Sequence, residues 1–121
     1  MTLPARIHEA DLPPAPAHLS AEAQAWWSAT VAEFDLQGHH LRLLRLAAEA
    51  WDRCQQARQA LAAGGLTYED RFGAPRTRPE IAVERDSRLA FARLVRELGL
   101  DVAPPAEAPR PPILRHSRRG V

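Results

Sequence analysis

The side chains that could carry out catalysis are few and lie far apart along the chain. His39 and His40 are adjacent, whereas two histidine ligands on one helical face need a spacing of four residues, and no His-Glu-x-x-His occurs. Cys54 is the only cysteine, so the chain can form no intrachain disulfide. A single cysteine on a helix is typical of a small buried residue. No cysteine or histidine pair has the spacing of a zinc site.

The acidic residues stand singly along the predicted helices, mostly near an arginine. A two-metal nuclease needs several carboxylates that converge on one pocket. Gly64 and Gly65 lack the lysine of a phosphate-binding loop, and they follow a helix instead of preceding one. No Ser/His/Asp arrangement can be recognised. The sequence therefore predicts a protein that is not an enzyme and that needs no metal or other cofactor.

Arginine supplies all sixteen basic side chains, and the net charge is only +1. The planar guanidinium group suits bidentate contacts to phosphate. Two groups of arginines are candidates for such contacts. Arg42 and Arg45 lie near the start of a long predicted second helix, and Arg71, Arg76 and Arg78 flank a predicted hairpin. A solvated surface balanced by nearby acids is the alternative. If copies of the chain assemble into a ring, symmetry repeats each arginine around it. No part of the pattern resembles a motif that recognises bases. We therefore expect nucleic-acid binding with little sequence preference.

Proline content and helical periodicity divide the chain into three parts. Residues 1–19 carry four prolines without a helical period, which predicts a flexible, extended N-terminal arm. Ser20 is a good N-cap for a first helix that ends near Asp35. The helical period then groups apolar side chains on one face: Ala23, Trp27, Val31 and Phe34, together with Thr30.

A second helix is predicted over residues 39–63, and Gly64-Gly65 supplies a glycine that can end it. The alternation in residues 66–78 predicts a short hairpin. Pro79 suits the start of a third helix that runs to Leu98, with Gly99 after it. We assign the apolar face of this third helix to a stripe that leaves Ile81, Phe91 and Leu94 outside it: Ala82, Leu89, Ala92, Val95 and Leu98.

The predicted fold is an all-α, three-helix protomer with long antiparallel helices and a short β-hairpin insertion. Its expected core is Trp27, Phe34, Leu44, Trp51 and Leu98. Residues 20–100 form the oligomerisation and DNA-binding domain in this interpretation. A domain of about 80 residues buries only a modest core, and neither a disulfide nor a metal is available to support it. Apolar residues on more than one face of the third helix therefore predict self-association.

Residues 101–121 form a tail rich in proline and arginine, which predicts a flexible segment. Its candidate partner-binding residues are Ile113, Leu114, Arg115, Arg118 and Arg119. A nucleic-acid arm, a solubilising tail and a linker are the alternatives for the same segment. The first residues show no basic region followed by an apolar run, so we expect no secretory signal, and no apolar stretch approaches the roughly 20 residues of a membrane span.

An ordered pattern of weak positions resembles a known family. It starts with His18-Leu19-Ser20 and Ala25-Trp26-Trp27, continues through Leu36, Trp51, Gly64-Gly65-Leu66-Thr67, Gly73-Ala74-Pro75-Arg76 and Pro79, and closes at Glu97-Leu98-Gly99-Leu100. Over roughly residues 18–100 this pattern is similar to the P27 family of phage terminase small subunits, found in HK97-like phages, prophages and gene transfer agents. The family commonly follows the closing Gly-Leu with Thr-Pro and begins with a basic arm, and this chain has neither.

The resemblance implies a nonenzymatic part of a DNA-packaging motor in the host cytoplasm. Such a protein forms a homo-oligomeric ring of about eight to ten copies, binds double-stranded viral DNA and delivers it to the large ATPase and nuclease subunit. Two alternatives stay open. The break near Gln37 could imitate the turn of a small dimeric DNA-binding regulator, although the next helix is long and rich in alanine. A small metal-dependent nuclease is the other.

Overall fold

A computed structural model of the chain describes residues 11–101, and these form three helices and one hairpin. In chain order they are α1 (Ala21–Glu33), α2 (Gly38–Gly64), β1 (Thr67–Glu69), β2 (Pro75–Thr77) and α3 (Glu80–Leu98). The predicted mostly helical fold with a short β-hairpin is confirmed. The candidate partner-binding residues of the tail, Ile113 to Arg119, lie outside the described residues.

Helix α1 begins where the sequence predicts. The Ser20 hydroxyl accepts the backbone N–H of Ala23 at 3.0 Å and caps the helix. The same hydroxyl donates to Asp52 on α2 at 2.5 Å, so one side chain both starts α1 and ties it to its neighbour. The predicted inner face is buried at Ala23, Trp27, Thr30 and Val31.

Residues 11–20, which the sequence assigns to the arm and the cap, lie against the helices. Leu19 is buried, and Leu12 and Ala15 pack against the cluster formed by Trp27, Val31 and Leu44. The indole N–H of Trp27 donates to the carbonyl oxygen of Pro13 at 2.9 Å. A buried indole N–H needs such a partner, so this hydrogen bond holds the proline-rich segment onto α1.

Helix α2 is the central element of the fold. At its start the Nδ1 atom of His40 accepts the backbone N–H of Gln37 at 3.0 Å, which makes a capping box. The rings of His39 and His40 lie 4.1 Å apart between centroids. At its end Gly65 adopts a φ of 84°, the left-handed region that the sequence predicted a glycine would need here. Leu44, in the first half of α2, is completely buried.

Helix α3 packs antiparallel on α2. Glu84 contacts Cys54 and Arg58, and Phe91, two turns later, packs against Trp51 with the ring centroids 5.3 Å apart, so the two helices run in opposite directions. Gly99, at φ 75°, ends α3 and lets the N–H of Leu100 donate to the carbonyl oxygen of Val95. Leu100 then packs against the Trp27 cluster.

The apolar face predicted for α3 is wrong in its phase at its first three members, whereas its last two, Val95 and Leu98, are half-buried, and Leu98 packs against the Trp27 cluster. Ile81, Phe91 and Leu94 are half-buried on the side of α2, whereas Ala82, Leu89 and Ala92 are exposed. The two alternative stripes differ by about half a turn, and both contain apolar side chains. Packing selects the stripe with Phe91 because its ring meets both Trp51 and Trp26, at 5.3 and 5.4 Å.

The hairpin projects from the end of the α2–α3 pair. Its antiparallel strands pair Thr67 with Thr77 and Glu69 with Pro75, and every strand residue is exposed. Of the expected core side chains, Trp27 and Leu44 are buried, while Phe34, Trp51 and Leu98 are half-buried. No helix within residues 11–101 is long and apolar enough to span a membrane.

Candidate nucleic-acid interface

The five arginines predicted to contact phosphate lie in two groups at opposite ends of α2. Arg42 and Arg45 occupy its second turn, while the other three follow its last residue, Gly64, in the hairpin and the strand that leads to α3. A rise of 1.5 Å per residue separates Arg42 from Gly64 by about 33 Å. One protomer therefore does not bring the five guanidinium groups into a single patch.

At the start of α2, Arg45 and Arg42 differ in their partners. The Nε atom of Arg45 donates to Glu49 at 3.2 Å, and His18 contacts the same carboxylate oxygen at 2.7 Å. Burial raises the pKa of Glu49, but the hydrogen bonds and charges of His18 and Arg45 outweigh it and hold this pKa below its usual value. Arg42 is exposed and forms no ion pair within residues 11–101.

In the hairpin, two of the three arginines have structural partners. Arg76 donates to Asp70 at 3.0 Å. Arg78 donates to the carbonyl oxygen of Gly64 at 3.1 Å and so satisfies an acceptor at the end of α2. Arg71 instead lies over the exposed ring of Phe72, with its Cζ atom 5.1 Å from the ring centroid.

Asp70 organises the tip of the hairpin. Its carboxylate accepts the backbone N–H groups of Ala74 and Phe72, at 3.0 and 2.8 Å, in addition to the guanidinium of Arg76. The hydrogen bonds from Ala74, Arg76 and Phe72 hold the pKa of Asp70 below its usual value, because they favour the ionised form. Gly73 takes a positive φ of 79° in the same turn.

Sequence analysis missed two further exposed arginines on α3. Arg93 and Arg96 form no ion pair with any residue that the structure describes. The pairing of Phe91 with Trp51 and the antiparallel direction put both arginines beside the first half of α2, on the same end as Arg42. The spacing Arg85, Leu89, Arg93, Arg96 marks one helical stripe, so a correct phase for α3 would have identified them.

The remaining charges between the helices stabilise the fold. Glu84 accepts from Arg58 at 3.1 Å and from Arg88 at 3.4 Å, and the hydrogen bond from Arg58 is the main reason why its pKa is lowered. Burial and the neighbouring Glu84 carboxylate raise the pKa of the Cys54 thiol, so this buried cysteine stays protonated. Among residues 11–101, no three His, Cys, Asp or Glu side chains come together as a metal site.

A groove lined partly by carboxylates lies at another place on the described chain. It is an open groove of about 940 Å³ between residues 11–14 and the second half of α1. Its floor is apolar at Val31, Leu36 and Leu41, and its lining also includes Asp11, Glu33 and Asp35. Carboxylates repel phosphate, so this groove is not a candidate site for nucleic acid.

Comparison with known proteins identifies a family. The model of the family described as phage terminase, small subunit, matches residues 23–108, which is well over half of the 121-residue chain. A search of curated proteins and a search of solved structures each found no significant match. The matched range begins within α1 and includes α2, the hairpin and α3. The chain therefore belongs to the family of phage terminase small subunits, and this membership implies a role in phage DNA packaging.

Proposed function

We propose that this protein is the DNA-recognition component of a phage or phage-like packaging motor of the P27 type. It assembles into a homo-oligomeric ring in the host cytoplasm, binds double-stranded DNA, and delivers that DNA to the large ATPase and nuclease subunit. It regulates this large subunit and has no catalytic activity of its own. The family match supports the assignment to packaging, and the surface of the protomer supports assembly.

The observation that best supports ring assembly is the exposure of α3. None of its nineteen residues is buried, although the helix carries seven large apolar side chains: Ile81, Val83, Leu89, Phe91, Leu94, Val95 and Leu98. Leu89 on α3 is 56% exposed and Leu46 on α2 is 51% exposed. Large apolar side chains exposed on two packed helices suit a surface that associates with another copy. We infer that α2 and α3 supply much of the contact between subunits.

The proposed DNA contacts are the exposed arginines that have no acidic partner among the described residues. These are Arg42, Arg93 and Arg96, which lie at one end of the helical pair; Arg71, in the hairpin, packs over Phe72 and is assigned below to the contact between copies. A ring repeats each of them by its symmetry, so a weakly charged protomer gives a basic band. Arginine contacts to phosphate position DNA without reading its sequence.

The proposed contact with the large subunit is the tail segment Ile113 to Arg119. Its support is the sequence alone: two apolar anchors stand among three arginines, which suits a peptide that docks on a partner. A pull-down with the purified large subunit tests it, because deletion of residues 113–119 should abolish capture and leave the ring intact. Capture that persists after the deletion would refute this assignment.

A titration of DNA binding against salt concentration tests the function directly. Binding through phosphate contacts predicts a linear log–log plot whose slope falls by about 0.9 for each contact that is lost. The same preparation, mixed with DNA and a divalent metal, should leave the DNA uncut. A stable dimer that binds one DNA sequence far more tightly than others would instead favour the regulator, and metal-dependent cutting that survives purification would favour the nuclease.

A further inference from the structure

An aromatic cavity lies where α1 meets the α2–α3 pair. Its volume is about 300 Å³, and it is lined by Trp26, Trp51, Phe91, Ala23 and Glu22. The ring centroids of Trp26 and Phe91 are 5.4 Å apart, and those of Trp51 and Phe91 are 5.3 Å apart. The three rings are half-buried, so they present aromatic surface to whatever enters. This volume lies at the small end of the range of ligand pockets and is large enough for one aromatic side chain.

One carboxylate stands at this cavity. Glu22 lies in the first turn of α1, is exposed, and forms no ion pair within residues 11–101. An aromatic lining with one acidic group is complementary to an aromatic side chain that carries a cation beside it.

The hairpin tip has this composition. Phe72 is 81% exposed, the most exposed large apolar side chain in the described chain, and the guanidinium of Arg71 lies 5.1 Å from its ring centroid. The tip is ordered in advance, because Asp70 accepts the N–H groups of Phe72 and Ala74 and the side chain of Arg76. Holding the binding conformation before contact lowers the entropy cost of association.

The tip and the cavity of one protomer do not meet. From Trp51 to the end of α2 at Gly64 the helix rises about 20 Å, and the hairpin leaves from that end. Both strands are fully exposed, so the hairpin does not fold back onto the helices. The complementary surfaces can therefore meet only between two copies. When each copy gives its tip to one neighbour and its cavity to another, the contact is head-to-tail, and it closes a ring where the rotation between copies allows.

We propose that the Arg71–Phe72 tip of one copy docks into the aromatic cavity of the next copy, with Phe72 among the three rings and Arg71 paired with Glu22. This inference rests on the proposed ring and names two surfaces that join its subunits. Buried aromatic and arginine side chains are the residues that most often dominate the energy of protein interfaces.

A charge-exchange series tests the proposal on the full chain. Arg71→Glu and Glu22→Arg each place like charges together at the docked tip, so each should weaken self-association about tenfold or more, measured by native mass spectrometry over a dilution series. The double variant restores the opposite pair and should recover most of the wild-type oligomer. Both residues are exposed, so circular dichroism should show an unchanged fold.

Removal of the aromatic ring is the second arm. Phe72→Ala should weaken self-association about thirtyfold. Its matched control is Leu66→Ala, which removes a 62% exposed apolar side chain from the base of the same hairpin and should leave assembly unchanged. Intact rings in Phe72→Ala and in both single charge variants would overturn this inference alone. If rings persist in the Arg71 and Phe72 variants while their DNA affinity falls, the tip contacts DNA instead of a neighbouring copy. A monomeric wild-type protein would overturn both this inference and the proposed ring.

Discussion

At the scale of single residues, arginines of the same predicted group have different roles. Arg78 caps α2 through the carbonyl oxygen of Gly64, whereas Arg42 is exposed and has no ion-pair partner in the described part of the chain. Arg78→Ala should therefore lower the free energy of unfolding by about 1 kcal/mol, measured by denaturant titration. Arg42→Ala should change this free energy by less than about 0.5 kcal/mol but reduce the salt slope of DNA binding. If Arg42→Ala lowered the free energy of unfolding and Arg78→Ala lowered only the salt slope, Arg42 would be the structural residue and Arg78 the DNA contact.

The pKa of Asp70 gives a second prediction at this scale. Because the folded hairpin lowers this pKa, the contribution of Asp70 to tip stability is complete above the ordinary carboxyl value and is lost as the pH falls through the lowered value. Nuclear magnetic resonance should show the amide protons of Phe72 and Ala74 titrating with a midpoint below the ordinary value. Asp70→Asn should make both shifts independent of pH in this range. A midpoint at or above the ordinary value would contradict the hydrogen bonds.

At the scale of elements, the two stripes of α3 differ in what they stabilise. Phe91 packs on Trp51 and Trp26 within the protomer, so Phe91→Ala should lower the free energy of unfolding by about 3 kcal/mol. Leu89 faces outward, so Leu89→Asp should leave the helical content unchanged and weaken the oligomer. Circular dichroism during thermal unfolding, combined with native mass spectrometry, separates these effects. If Leu89→Asp instead unfolds the single protomer, Leu89 lies on the packed face of α3, as the sequence predicted.

The sequence predicted the elements better than the way they pack. Ser20, Gly65 and Gly99 mark helix ends through local backbone chemistry, so their roles could be identified from residue type and position. The phase of α3 depends on contacts with Trp26 and Trp51, which are distant in sequence, and both of its stripes are apolar enough to pack. For the same reason the sequence did not reveal that Arg76 and Arg78 have partners, or that Arg93 and Arg96 are exposed beside Arg42.

At the scale of the whole molecule, the protomer has a small core and several large apolar side chains that are exposed. Leu44 is the one large side chain in the described residues that is fully buried. α3 buries none of its residues, yet it carries Leu89 and Val83 on its outer side. A chain of this size gains limited stability from its own core, and association with copies of itself would cover the rest. Both the unfolding temperature and the fraction of assembled protein should therefore rise with protein concentration.

The most direct test of this account is native mass spectrometry of the full-length protein at micromolar concentration, with multi-angle light scattering as a check in solution. We expect one closed oligomer of uniform subunit number, which dissociates into less stable protomers on dilution. A well-folded monomer whose unfolding temperature does not change with concentration would contradict it, since no uncovered apolar surface would then need a partner.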